Sequence, residues 1–280
     1  MEKSVMRKYL VVLLAIGVVA ALMLGLLGCG SSGSTSTTAA ASATTAKPQT
    51  LTVSAASSLK DAFTEIGKAF DAANNCKTTF NFDASGTLEK QIEGGAPVDV
   101  FASAAMKQVT ALTGKQLADA SSVKKFAANQ MVLVVPANST LGLTGFQGLT
   151  KAGVGKITYG DPKVAPQGVA AEQILTKLGI LSTLKSKIVH AENASQAVTY
   201  VISGNVDAGI IYASEAKAAG DKLKVIATAD QSWYTKVVYP AVLISASNEK
   251  DLGQKFIDYL VSSDGQAILA KYGFLPAPTS

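Results

Sequence analysis

Four stretches place small polar residues where an apolar run gives way to a helical pattern. In the first, Ser54-Ala55-Ala56-Ser57-Ser58-Leu59 follows Leu51-Thr52-Val53, which reads as a strand. From Leu59 onward, Ala62, Phe63, Ile66, Phe70 and Ala73 recur at helical spacing, so Ser58 begins a helix. Ser85 precedes a helix predicted from Thr87, Gln167-Gly168 one from Val169, and Asn193-Ala194 one from Ser195. A helix start leaves backbone N–H groups unpaired and carries partial positive charge. Hydroxyls and amides at such a start can hold an anion without lysine or arginine. Tyr212, ending the strand-like run 206–212, adds a phenolic O–H donor. Bonds from neutral donors to a buried anion are charge-assisted, about twice as strong as neutral pairs. Any one of these residues alone is more commonly a cap or a turn. Five in one chain favour a shared anion over five separate caps.

Other chemistries find few residues to use. His190 is the lone histidine, and Cys29 and Cys76 are the two cysteines. That is too few soft ligands for a Cys/His zinc site. A nucleophilic triad would have to use His190 as its base. The formal charge of +5 is raised by Lys3, Arg7 and Lys8, and no basic run is interleaved with aromatics, so no nucleic-acid partner is expected. Gly94-Gly95 falls at a helix end and is a stop rather than a phosphate loop.

The elements that must position these donors alternate. Strand-like runs fall at 77–82, 98–101, 131–136, 157–160, 206–212, 224–227 and 237–245. Amphipathic helices intervene: one through Met106, Val109 and Leu112, one stopped by Gly179, one ended by Gly204. Residues 185–192 read as a linker. Such alternation implies an α/β fold with mostly parallel sheets, whose ligands sit beyond the C-terminal strand ends.

The N-terminus is of another kind. Residues 1–28 are a targeting segment, with Lys3, Arg7 and Lys8 before an apolar run from Tyr9 to Leu27. The run is long enough to span a bilayer. It ends in Leu26-Leu27-Gly28-Cys29, which resembles the bacterial lipoprotein signal. By that resemblance cleavage precedes Cys29, which is lipidated and anchors an extracytoplasmic protein to the cell membrane. Residues 29–50 hold this cysteine and a Gly/Ser/Thr/Ala-rich tether. Cys76 is then unpaired.

Several motifs come in a specific order: Ala55-Ala56-Ser57-Ser58-Leu59, Ser85-Gly86-Thr87-Leu88, and Gln91 through Phe101. Gly160-Asp161-Pro162, Pro166-Gln167-Gly168, Gly209-Ile210-Ile211-Tyr212 and Lys271-Tyr272-Gly273-Phe274 follow. With these motifs the chain resembles the periplasmic molybdate-binding proteins of ABC transporters from about Leu51 to Phe274. The resemblance implies a two-lobed periplasmic-binding-protein fold of type II, with two crossover strands as hinge. Lobe 1 would take residues 51–131 and 238–280, and lobe 2 residues 132–237. It also implies a tetrahedral oxyanion, molybdate or tungstate, held by Ser58, Ser85, the amides of Gln167 and Ala194, and Tyr212. Family members often carry alanine where Gln167 stands, so this side chain is expected at the cavity or its rim. Asp83 is expected to point away from a dianion. The implied partner is an ABC permease, with no cofactor, no catalysis and a monomeric state. Sulfate, phosphate or a small organic anion are alternative ligands. Porphobilinogen-deaminase-like enzymes share such lobes but need several arginines, and Arg7 is the lone one here.

Overall fold

The structure, a computed structural model, describes residues 48–278. The targeting segment, Cys29 and the tether up to residue 47 lie outside the described residues. The chain opens with β1 (Gln49–Ala56), a 3-10 turn at Ser57–Leu59, α1 (Lys60–Asn74), β2 (Cys76–Asp83), α2 (Ser85–Glu93), β3 (Val100–Ala102) and α3 (Met106–Gly114). Then come β4 (Lys124–Asn129), β5 (Met131–Pro136), β6 (Ile157–Gly160), α4 (Pro166–Lys177), α5 (Leu181–Leu184), β7 (Ile188–Ala191) and α6 (Ala194–Ile202). The rest is β8 (Ala208–Tyr212), α7 (Ala213–Ala219), β9 (Leu223–Thr228), β10 (Val237–Leu243), α8 (Lys250–Val261) and α9 (Ser263–Lys271).

These strands build two five-stranded sheets of the same pattern, β2-β1-β3-β10-β4 and β7-β6-β8-β5-β9. Each is parallel through its first three strands and antiparallel through the last two pairings. The antiparallel strands are those that change sheets. Asn129 ends β4 and Met131 begins β5, so the chain crosses at Gln130; it returns between Thr228 and Val237. The apolar stripe of α1 (Ala62, Phe63, Ile66, Phe70) is buried. Phe70 meets Phe256 of α8 edge-on, with ring centroids 5.2 Å apart. Each such fully buried ring contributes about 1.5–3 kcal/mol of transfer free energy.

Three helices begin earlier than the apolar spacing suggests: α2 at Ser85, α4 at Pro166 and α6 at Ala194. Proline suits the first turn of α4, where no intrahelical donor is needed. The segment expected as a linker, 185–192, holds strand β7, an edge strand whose His190 is exposed. Strand β4 begins with exposed Lys124 and Lys125 and has no apolar run to mark it. The parallel strands direct the ends of β1, β2 and β3 in one half, and of β6, β7 and β8 in the other, to the chain segments that carry the candidate donors.

Candidate anion site between the two sheets

All five candidate residues line one small cavity of about 10 Å³, little more than the room of one water. Ser58 and Ser85 come from the half built on the first sheet; Gln167, Ala194 and Tyr212 come from the other. Asp83 is the one charged residue in the lining, and no lysine, arginine or histidine joins it. Neither serine is spent as a helix cap. Ala56 and Leu59 occupy the cap positions around Ser58, and Ala84 occupies the one before Ser85.

Each donor is held by a neighbour. Ser85 Oγ accepts from the Ala104 N–H at 2.9 Å, which leaves its own hydrogen free. Ser58 Oγ pairs with the Tyr239 hydroxyl at 3.0 Å. Gln167 and Ala194 sit in the first turns of α4 and α6, where an N–H has no intrahelical acceptor. Asn193 caps α6 by accepting from the Gln196 N–H at 3.1 Å. The start of α4 presses on the end of β6: a Cβ added to Gly168 would lie 1.8 Å from the Gly160 oxygen. Tyr212 is 1% exposed, and its hydroxyl has no hydrogen-bond partner among the described residues. Burial holds this phenol well above its ordinary pKa, so it stays a donor. An unpaired buried O–H costs about 1–3 kcal/mol, so a ligand acceptor there recovers that cost.

Two side chains depart from expectation. The Gln167 side chain does not offer donors to the cavity. Its Oε1 accepts from the Gly160 N–H at 3.0 Å, and its Nε2 donates to Glu215 Oε2 at 2.9 Å. Glu215 also accepts from the Tyr212 N–H at 3.4 Å. Burial pushes the Glu215 carboxyl up to about 8, against the lowering effect of these two bonds. Asp83 does not turn away; it lines the cavity, with Oδ1 accepting from the Ala84 N–H at 2.7 Å and from Asn193 Nδ2 at 3.3 Å. Its charge is thus engaged by donors of its own.

The Asp83–Asn193 bond joins the two halves, and it is not alone. The Gly86 N–H donates to the Val164 oxygen at 2.8 Å. Ser195 donates its N–H to Ser57 Oγ at 3.3 Å and its hydroxyl to the Ser57 oxygen at 3.0 Å. Ser57 therefore ties the halves together, beside a Ser58 that faces the cavity. Among the described residues, no cluster of three His, Cys, Asp or Glu side chains could hold a metal ion. The Cys76 thiol is buried, unpaired and pushed up to about 11 by burial, and it bonds Asp71 at 3.4 Å.

Sequence reasoning missed Asn129, Tyr239 and Glu215. Glu215 had a local signal, an acid in the first turn after Tyr212. Asn129 and Tyr239 had none, since they meet across 110 positions.

The chain is similar to known proteins over most of its length. The molybdate-binding protein ModA of Escherichia coli (strain K12) is 32% identical over 230 residues, spanning 80% of this chain and 88% of that one. The provisionally named ABC transporter substrate-binding lipoprotein YvgL of Bacillus subtilis (strain 168) is 34% identical, over 91% of this chain and 96% of that one. The solved periplasmic molybdate-binding protein of Azotobacter vinelandii superposes with a TM-score of 0.74 at 26% identity, covering 82% of this chain and all of that one. Residues 51–275 match the family described as bacterial extracellular solute-binding protein, and the chain belongs to that family.

Proposed function

We propose that this chain captures molybdate, or tungstate of the same shape and charge, between its two halves and delivers it to an ABC permease. One observation carries the reading: a cavity between the halves gathers two serine hydroxyls, two helix-start amides and the unpartnered Tyr212 hydroxyl, with no cationic side chain. Neutral donors suit an oxyanion that must later be released, because no ion pair has to be broken. The relatives named for molybdate binding support this choice of ligand. Ser58, Ser85, Gln167, Ala194 and Tyr212 are the proposed contacts. The two halves act as lobes, 51–131 with 238–280 and 132–237, that close about the crossing segments. The protein binds and releases without covalent chemistry, as a monomer. Cys29, by its lipoprotein-like setting and the name of the Bacillus relative, is the proposed lipid anchor on the outer face of the cell membrane.

Calorimetry of the chain with molybdate, tungstate, sulfate and phosphate tests the ligand. Tight binding of molybdate and tungstate is expected; tight binding of phosphate with none of molybdate would overturn the reading. Replacing Cys29 with alanine should abolish metabolic lipid labelling, and persistent labelling would refute the anchor.

A further inference from the structure

Behind Ser58 lies a row of buried polar groups that leads to the crossing between the sheets. Asn129, 2% exposed, is the last residue of β4 before the chain changes sheets. Its Oδ1 accepts from the N–H groups of Gln130 at 2.9 Å and Ser214 at 3.3 Å. Backbone N–H groups only donate, so the amide orientation is fixed. Its Nδ2 must then face the other way, donating to Ser214 Oγ at 2.7 Å and to the Tyr239 hydroxyl at 3.3 Å. Tyr239 is fully buried and accepts from Asn129; Ser58 Oγ lies 3.0 Å from its hydroxyl, whereas the neighbouring Tyr212 hydroxyl is not in hydrogen-bond geometry with it. Were Ser58 to donate instead, the Tyr239 hydrogen would be buried without a partner, which is costly. Tyr239 therefore donates to Ser58, and the Ser58 hydrogen is left for the cavity.

We propose that Asn129 and Tyr239 are positioning residues that set the direction of this relay, Asn129 N–H to Tyr239 O–H to Ser58 O–H, so that Ser58 always presents its hydrogen to the anion. This rests on the ligand contact assigned to Ser58 above. Each bond in such a row polarises the next, so Ser58 is also a stronger donor than an isolated serine. Ser85 reaches the same state more simply, with its lone pair taken by the Ala104 N–H. The relay differs in reaching the crossing segment, through Asn129 and Ser214 of α7.

The test is a double-mutant cycle read by molybdate affinity, with thermal unfolding of each variant alongside. Tyr239→Phe should weaken binding about tenfold. In a Ser58→Ala background the same change should cost less than about twofold, because the group it orients is gone. Asn129→Asp keeps the shape and both accepted bonds but removes the donor. It should turn the row around and weaken binding about as much as Ser58→Ala does. A purely structural Tyr239 would cost the same with and without Ser58, and that result, or no loss in Tyr239→Phe, overturns the relay. If the Asp variant does not fold, the cycle still decides. Wild-type protein that binds none of the oxyanions would instead overturn the ligand reading, and the relay with it.

Discussion

Tyr212 and Ser58 make opposite contributions to the unliganded protein, which separates binding from folding. The Tyr212 hydroxyl is buried and unpartnered, whereas the Ser58 hydroxyl is paired with Tyr239. Tyr212→Phe should therefore weaken molybdate binding by about 1.5–3 kcal/mol, roughly ten- to a hundredfold, while leaving the unliganded melting temperature level or slightly raised. Ser58→Ala should lose a similar amount of binding with a small drop in melting temperature. Calorimetry with scanning calorimetry reads both; unchanged affinity in both variants would place the site elsewhere. Glu215 acts on stability instead. Its folded pKa is raised to about 8 by burial, so the folded state favours the neutral acid. Its stabilising contribution is complete below the unfolded carboxylate value near 4.5 and is lost as pH rises through 8. Wild-type stability should fall over that window by up to about 1.4 kcal/mol per pH unit relative to Glu215→Gln. Parallel stability curves from pH 5 to 8 would show that the carboxyl does not titrate there.

The elements that carry the site are joined by close packing at glycine. Gly168 in α4 lies against the Gly160 carbonyl of β6, and any Cβ there would collide with backbone that has no side-chain freedom. Gly168→Ala should destabilise the fold by about 3 kcal/mol or more, seen as a lower denaturant midpoint. A wild-type midpoint would mean that α4 can slide off the strand. Much of this frame is legible in the chain itself. The strand-to-helix junctions at Ser58, Ser85, Gln167 and Asn193 stand out because buried apolar runs stop at small polar residues, and the stops at Gly179 and Gly204 take positive φ. The exact helix starts are less legible, since a first turn needs no apolar residue. The edge strands β4 and β7 were hidden for a related reason. Each has a water-facing side, so lysines and His190 interrupt the apolar pattern. Five of the residues that line the cavity could be named from the sequence, and the groups that hold them could not. Gln167 with Glu215, and Ser58 with Tyr239, meet only because the fold of each half brings together residues far apart in the chain.

At the scale of the whole molecule, the proposed capture requires the two halves to meet around the ligand. Asp83 with Asn193, Ser57 with Ser195, and Gly86 with Val164 bridge the halves beside the cavity. The last of these leaves no space. A Cβ on Gly86 would lie 2.7 Å from the Val164 oxygen and 3.0 Å from its Cα, both in the opposite half. Within α2 itself alanine is no burden, since it is a better helix former than glycine by about 1 kcal/mol. Gly86 does not have the positive φ that would make a side chain strained. Gly86→Ala should therefore leave the melting temperature of the unliganded protein level or raised, because the halves can part to relieve the clash. It should weaken molybdate binding at least tenfold, because closing must then displace backbone. Solution scattering gives a direct readout: the wild-type radius of gyration should shrink on adding molybdate, and that of Gly86→Ala should not. If the variant contracts and binds as the wild type does, the Gly86–Val164 contact is not part of the closed state, and closure must rest on other bridges, those of Asp83 and Ser57 among them.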